Sequence, residues 1–300
     1  MLLLQKNAIK NIKEFLDSNI ESSLLFRLFH LNEKIDYSYV RKAIGKSILN
    51  DFLEAKLFLR QANKIMTDYD IATYENYHFF YNNKDWLDAV YFGPDSLILA
   101  NRLPEQNNLK ALDLCTGCGI HAILLSRSTK EVYCVDINPK AVNAAGFNAL
   151  LNNAKVKILE GDLYEPVIGK KFDLIVSNPP LIPIPDSCRY PLCGKGGEDG
   201  LLIFRRIVKG LRDYLSSSGQ AILLGGGMGK NEAVFKDILQ EFDFELKILD
   251  KMPKEREILN RTALLNRYNP DSLREMQRIY SNADFFYKYI ARIKIPAQSL

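Results

Sequence analysis

From about residue 108 onward, short apolar runs that read as buried strands alternate with helical stretches, and this alternation most constrains the fold. The strands expected from it are Leu112 to Leu114, Glu131 to Asp136, Val156 to Leu159, Phe172 to Ser177, Gln220 to Leu224 and Glu245 to Asp250. The helices between them are Ile120 to Ser126, Pro139 to Asn152, Leu201 to Leu215 and Glu232 to Phe242. Pro139 suits a helical first turn. Tyr287 to Ile295 reads as a last strand, returning antiparallel beside Glu245 to Asp250 and completing seven. Such alternation argues for an α/β doubly wound sheet. In these sheets, ligands sit at the carboxyl ends of the strands.

Those ends carry the informative residues. Ala111 to Ile120 is an apolar run that ends in Asp113 and runs into Gly117 and Gly119. Glycine is needed at so sharp a turn because it accepts positive φ and lets a ligand approach the backbone. Gly117-Cys-Gly119-Ile-His-Ala122 also fits a dinucleotide fingerprint, with Asp136 about 20 residues on. Asp113 tips the balance away from a pyrophosphate, which a carboxylate would repel. It is instead expected to pair with a cofactor ammonium. Asp136 is placed to accept two ribose hydroxyls, and Asp162, after Gly161, to accept the exocyclic amine of adenine. Ammonium, ribose and adenine together describe S-adenosyl-L-methionine.

Ser177-Asn-Pro-Pro180 ends the fourth strand of this series. Pro179 and Pro180 remove two backbone donors and stiffen the turn. The Asn178 carbonyl, with a neighbouring backbone carbonyl, can accept hydrogen bonds from an NH2 group and aim its lone pair at a methyl sulfonium. Catalysis would then consist of positioning and charge stabilisation.

Asp113 to Gly119, Asp136, Asp162 and Ser177-Asn-Pro-Pro180 resemble a class I S-adenosylmethionine-dependent methyltransferase, in the branch of (D/N)PP(Y/F) amino-group methyltransferases. Asn178-Pro-Pro-Leu-Ile-Pro183, Gly196-Gly-Glu-Asp-Gly-Leu201 and Arg205-Arg-Ile207 are most similar to release-factor glutamine N5-methyltransferases. The resemblance covers roughly residues 90 to 250. It implies a Rossmann-like doubly wound seven-stranded methyltransferase sheet. It also implies cofactor residues Asp113, Thr116, Gly117, Gly119, Asp136, Ile137, Asp162, Leu163 and Asn178, with Asn178, Pro179 and Pro180 catalytic. One position departs: the family has an aromatic residue where this chain has Leu181, and leucine offers no π face. Tyr190 and Tyr91 are candidates for the missing ring.

Residues 1–88 read as a helical, winged-helix-like domain, and 89–300 as the methyltransferase domain, with a lid insertion at 251–286 that holds a helix at Ser272 to Ser281. Apolar spacing places helices around Ile9 to Leu16, Leu24 to Phe29, Val40 to Ile44 and Ile48 to Leu57, followed by ribbon segments at Leu57 to Leu59, Lys64 to Thr67 and Ile71 to Phe80. Residues 1–107 hold 13 Lys/Arg against 14 Asp/Glu, and the helix Ser47 to Lys56 carries Asp51 and Glu54. DNA reading needs a basic face, so DNA is not the expected partner. Residues 246–300 are basic, with 11 Lys/Arg against 6 Asp/Glu. They form either a solvated surface or a lid over an acidic or nucleic-acid acceptor. Asp95 or Ser96 is expected to cap the helix Leu97 to Arg102.

The remaining signals are minor. Five cysteines, an odd count, point to a reduced cytoplasmic protein. Cys115-x-x-Cys118 lacks the second pair that a zinc site needs, so no metal is expected. The start lacks a signal-peptide pattern, and no apolar run is long enough to span a membrane. Gly225 to Lys230 resembles a phosphate loop but fails its spacing and reads as the turn after the Gln220 to Leu224 strand. His30, His78 and His121 show no triad spacing. Three readings follow. The first is an N-methyltransferase acting on a protein, RNA or other NH2-bearing acceptor. The second is a small-molecule N- or O-methyltransferase that forms a homodimer through residues 1–88. The third is a cofactor-binding winged-helix regulator.

Overall fold

The structure, a computed structural model, describes residues 2–19, 22–83, 87–105, 109–266, 269 and 271–296. The N-terminal part begins with helices α1 (Leu2–Asn19) and α2 (Ser23–Leu25), strand β1 (Ile35–Asp36), and helices α3 (Tyr37–Ile44) and α4 (Lys46–Glu54). A ribbon of β2 (Leu59–Gln61) and β3 (Lys64–Met66) follows, with β1 paired to β3. Ile12, Leu16, Leu28, Phe29 and Phe52 are fully enclosed at helical spacing, and Phe52 stacks on Phe58 with centroids 4.3 Å apart. Asp51 of α4 faces inward to accept from Asn11 of α1 at 3.0 Å. The aromatic stretch after the ribbon forms a tight antiparallel hairpin, β4 (Asp70–Tyr74) and β5 (Tyr77–Tyr81), rather than one continuous segment.

The α/β part opens with α5 (Pro94–Ala100). It then runs β6 (Lys110–Leu114), α6 (Ile120–Leu125), β7 (Glu131–Asp136), α7 (Pro139–Leu151), β8 (Lys157–Glu160) and β9 (Phe172–Ser177). It closes with α8 (Leu202–Tyr214), β10 (Leu215–Gly229), α9 (Ala233–Leu239), β11 (Asp243–Pro253), α10 (Lys254–Leu265), α11 (Ser272–Ile279) and β12 (Phe285–Lys294). Seven strands form one sheet in the order β11-β12-β10-β9-β6-β7-β8, parallel from β10 to β8. The last strand does return antiparallel beside β11, and it also pairs with β10, so it lies between the two. The order reverses at β6, which puts the ends of β6 and β9 at the switch point where such sheets bind ligands.

Three local expectations are corrected. Gly225 to Gly229 is no turn: it continues β10, with Gly225 opposite Tyr289 and Gly227 opposite Tyr287. A Cβ on Gly225 would lie 2.5 Å from the Tyr289 ring, and one on Gly226 would lie 2.8 Å from both Leu181 and Phe286. The glycines therefore let large side chains cross the strand. The cap of α5 is Gly93, not Asp95 or Ser96, because Pro94 takes the first helical position and draws both residues into the first turn. The segment between β11 and β12 holds two helices, α10 and α11, rather than one.

The two parts are joined through α7. Asn148, fully buried, accepts from the Phe80 N–H at 2.9 Å and donates to the carbonyls of Phe80 (2.8 Å) and Cys118 (2.9 Å). Asn152, one turn on, does the same for His78, accepting at 3.1 Å and donating at 2.8 Å. The two amides thus act as an extra strand edge for β5, satisfying backbone groups that would otherwise be buried unpaired. Asn148→Ala should cost about 3 kcal/mol, since it orphans several buried polar groups at once. The denaturant midpoint of the purified protein, compared with wild type at equal slope, measures this.

Candidate active site

The turn after β6 is left-handed at three places: Cys115 (φ 57°), Gly117 (φ 56°) and Gly119 (φ 85°). At Gly119 the requirement is also steric, because a Cβ would sit 3.0 Å from that of Ala145. Two carboxylates hold this turn from opposite sides. Asp136, at the end of β7, accepts from Gly117 N–H at 2.8 Å and Asn138 N–H at 2.9 Å. Burial raises its pKa, and these backbone N–H groups oppose the rise. Asp113 accepts from the Thr116 hydroxyl at 2.5 Å and from Ala122 N–H at 3.3 Å.

Asp113 departs from expectation. Its side chain is fully enclosed and is not among the residues that line the chamber described below. It lies before the strand end, and Thr116, Ala122 and His121 close over it. Its Oδ1 has no hydrogen-bond partner and faces His121 Nδ1 at 3.8 Å. His121 donates from Nε2 to the Ser96 carbonyl at 3.0 Å, because a carbonyl only accepts. Burial lowers the His121 pKa to about 4 and raises that of Asp113 to about 7.

Around this turn opens a cavity of about 600 Å³, well within the range of small-molecule sites. Thr116, Gly117, Asp136, Ile137, Asp162, Leu163, Asn178, Pro179 and Pro180 all line it. Of the expected site residues, the structure thus brings all together except Asp113, which is buried behind, and Gly119, which caps α6. Thr116 turns its hydroxyl away, toward Asp113. Asp162 is half-buried and accepts from Arg206 of α8 at 2.8 Å. Ser177 anchors the Asn-Pro-Pro turn by donating to the Leu114 carbonyl at 2.7 Å. The Asn178 amide, half-buried, has no hydrogen bond among the described residues, so its carbonyl and NH2 remain available to a ligand. Leu181 is 4% exposed and packs with Ile184, Leu224 and Met228, closing one wall.

Several wall residues come from the basic stretch 246–300. Lys288 of β12 donates to both oxygens of Asp95, at 3.0 and 3.2 Å, across 193 residues of chain. Arg261 and Leu264 of α10 reach the same cavity. Arg261 is bound through Nε to Glu257 at 2.6 Å. Both cations that α10 and β12 bring to the cavity are therefore paired with carboxylates. Tyr91 and Tyr190 both line the cavity as well.

The family profile of the methyltransferase small domain matches residues 92–244. A Methanocaldococcus jannaschii protein provisionally named a protein N5-glutamine methyltransferase is 34% identical over 54% of this chain and 84% of its own length. The release factor glutamine methyltransferase of Thermodesulfovibrio yellowstonii is 36% identical over 47% of this chain and 57% of its own. The ribosomal protein uL3 glutamine methyltransferase of Bordetella pertussis is 27% identical over 63% of this chain and 74% of its own. The chain thus spans little more than half of the release-factor enzyme.

The burial of Asp113 predicts a pH signature. Its folded pKa, about 7, lies above the usual carboxylate value of 3.8. The stability this gives is present in full below the unfolded value and is lost as pH rises through the folded one. Stability should therefore decline across the window from about pH 4 to 7. In Asp113→Asn that decline should flatten. Denaturant midpoints of both proteins across this range measure it, and parallel curves would refute the assignment.

Proposed function

The chain belongs to the methyltransferase small domain family, and on that premise we propose that it is an S-adenosyl-L-methionine-dependent methyltransferase acting on the side-chain amide nitrogen of a polypeptide. The observation that carries this reading is the unpartnered Asn178 amide, held at the end of β9 in the same cavity as Gly117, Asp136 and Asp162. The relatives named for methylating glutamine in a release factor or a ribosomal protein support a protein acceptor. Their substrates are parts of the translation machinery, which supports a cytoplasmic setting. Among the described residues, no helix is long and apolar enough to cross a membrane.

The residues present fit the cofactor. Gly117 is left-handed, and a Cβ there would meet only the Tyr91 carbonyl, at 3.5 Å, so a ligand can lie close against the backbone. Asp136 keeps acceptor capacity beyond its two backbone donors and suits ribose hydroxyls. Ile137, 52% exposed on the cavity wall, and Leu163 suit the flat apolar faces of adenine. Asp162 would accept the adenine amine with its remaining lone pairs while Arg206 fixes its orientation. When bound, S-adenosyl-L-methionine supplies an electrophilic methyl group. Asn178 would accept from the acceptor NH2 through its side-chain oxygen and hold the nitrogen in line with that methyl. Pro179 and Pro180 stiffen the backbone on which this side chain stands. The proton released by the nitrogen leaves to solvent after transfer, so no strong base is needed beside Asn178. In this reading the part before α5, helices followed by a ribbon, serves as a platform fixed on α7.

Asn178→Ala should lower methyl transfer at least about a hundredfold, as loss of a transition-state hydrogen-bonding group does. Cofactor binding should stay within a few-fold of wild type. The assay uses methyl-labelled S-adenosyl-L-methionine with a cell extract separated into protein, RNA and metabolites. Label in the protein fraction supports the reading. Label in RNA alone, or in no fraction, refutes it.

A further inference from the structure

We propose that Arg261 of α10 is the acceptor-binding residue of this site, and that its unused guanidinium donors take a carbonyl oxygen of the polypeptide that carries the methylated amide. This rests on the function proposed above. Arg261 lines the same cavity as Gly117 and Asn178. A guanidinium carries five N–H donors, and here Nε donates to Glu257 at 2.6 Å and Nη1 to the Tyr190 hydroxyl at 3.5 Å. Nη2 makes no hydrogen bond among the described residues. Arg261 thus brings unused donors to the cavity wall.

The charge of these donors is already neutralised. Glu257 sits one turn earlier on α10, and its side chain is 1% exposed against 19% for Arg261. Stability gives no reason to bury such a pair, since apolar side chains of similar volume serve as well. What the pair does offer is hydrogen-bond donors without net charge. Donors of that kind suit a neutral carbonyl oxygen. A phosphate brought beside them would be a desolvated charge with no counter-charge left to pair with. The pair therefore favours a polypeptide acceptor over RNA. Leu264, one turn after Arg261 on the same face of α10, also lines the cavity. Its apolar surface lowers the local dielectric, which strengthens a hydrogen bond made there.

The packing of α10 puts Arg261 on the Asn178 side. Leu265 and Ile258 of α10 belong to the same apolar cluster as Leu181, three residues after Asn178. Arg206, another guanidinium on the cavity wall, holds Asp162 and so stands at the cofactor end. The α10–α11 segment is also fastened to the loop that follows Leu181. Asn269 accepts from Arg189 N–H at 2.8 Å and donates to the Arg189 carbonyl at 3.1 Å. Arg278 donates to Glu198 at 2.5 Å. The helix that carries Arg261 is thus held in place before an acceptor arrives, which reduces the ordering cost of binding one.

The test uses the full-length protein, methyl-labelled S-adenosyl-L-methionine and the protein fraction of a cell extract as acceptor. Arg261→Lys keeps a charge beside Glu257 and removes the planar fork. It should raise the amount of acceptor needed for half-maximal labelling about tenfold, as loss of one hydrogen bond from a charged group does. The rate at saturating acceptor should stay within about threefold of wild type. Cofactor affinity, read by equilibrium dialysis, should be unchanged. Glu257→Gln/Arg261→Gln leaves no orphaned charge and should behave in the same way. Thermal midpoints identify a variant that merely unfolds, and where Arg261→Lys does so the double variant supplies the comparison. The effect of Arg261→Lys should be equal at about 50 and about 300 mM salt, because contact with a neutral group is not screened. An unchanged acceptor requirement in the folded variants, or an effect that vanishes at the higher salt, overturns the proposal while leaving the methyltransferase reading intact. If wild type labels no protein, both readings fall, and the wild-type lane alone shows it.

Discussion

The site depends first on how the turn after β6 is held. A strand that ends in a left-handed residue, Cys115, and continues through two left-handed glycines has little intrinsic stability. Two carboxylates make it rigid. Asp113 draws in the Thr116 hydroxyl and the Ala122 N–H from beneath, and Asp136 takes the Gly117 N–H from the neighbouring strand. Enclosing Asp113 completely strengthens these bonds, and it raises the carboxyl's pKa by burial. A polar group buried in this way rigidifies when its partners are in place, and the one oxygen left without a partner faces His121.

The second constraint is the glycine run of β10. The sheet must let Tyr289 and Phe286 of β12 and Leu181 of the Asn-Pro-Pro loop pack across one strand. Side chains at 225 and 226 would block all three. The run that looks like a phosphate loop in the sequence therefore gives Leu181, three residues after Asn178, room to lie across the sheet. On the opposite flank, α7 performs a similar task with two asparagines, fastening the N-terminal hairpin to the domain that holds the cavity.

Much of this was legible in one dimension. Alternating runs predict the parallel sheet because a buried strand and its crossover helix carry different periodicities. Asp136, Asp162 and Asn178 stand out because polar residues that end apolar runs lie at one edge of such a sheet. Asp113 stands out for the same reason, and one residue before the strand end it is enclosed beside Thr116, Ala122 and His121. The α5 cap falls at Gly93 rather than at Asp95 or Ser96 because Pro94 shifts the helix start by fixing its own φ. Nothing local could have paired Asp95 with Lys288 or brought Arg261 to the cavity, since these contacts join segments far apart in the chain.

By itself, then, the sequence determined the sheet, the glycine turn and the set of polar residues at the strand ends, because each follows from periodicity and backbone sterics over a few residues. Only the tertiary structure decided which of those residues face the cavity, and which residues complete its far wall. That wall is built by α10 and β12 folding back over the sheet, and burial and side-chain direction there are set by what packs behind each residue. The turn around Gly117 belongs to the first kind of information, and the neighbourhood of Leu181 to the second.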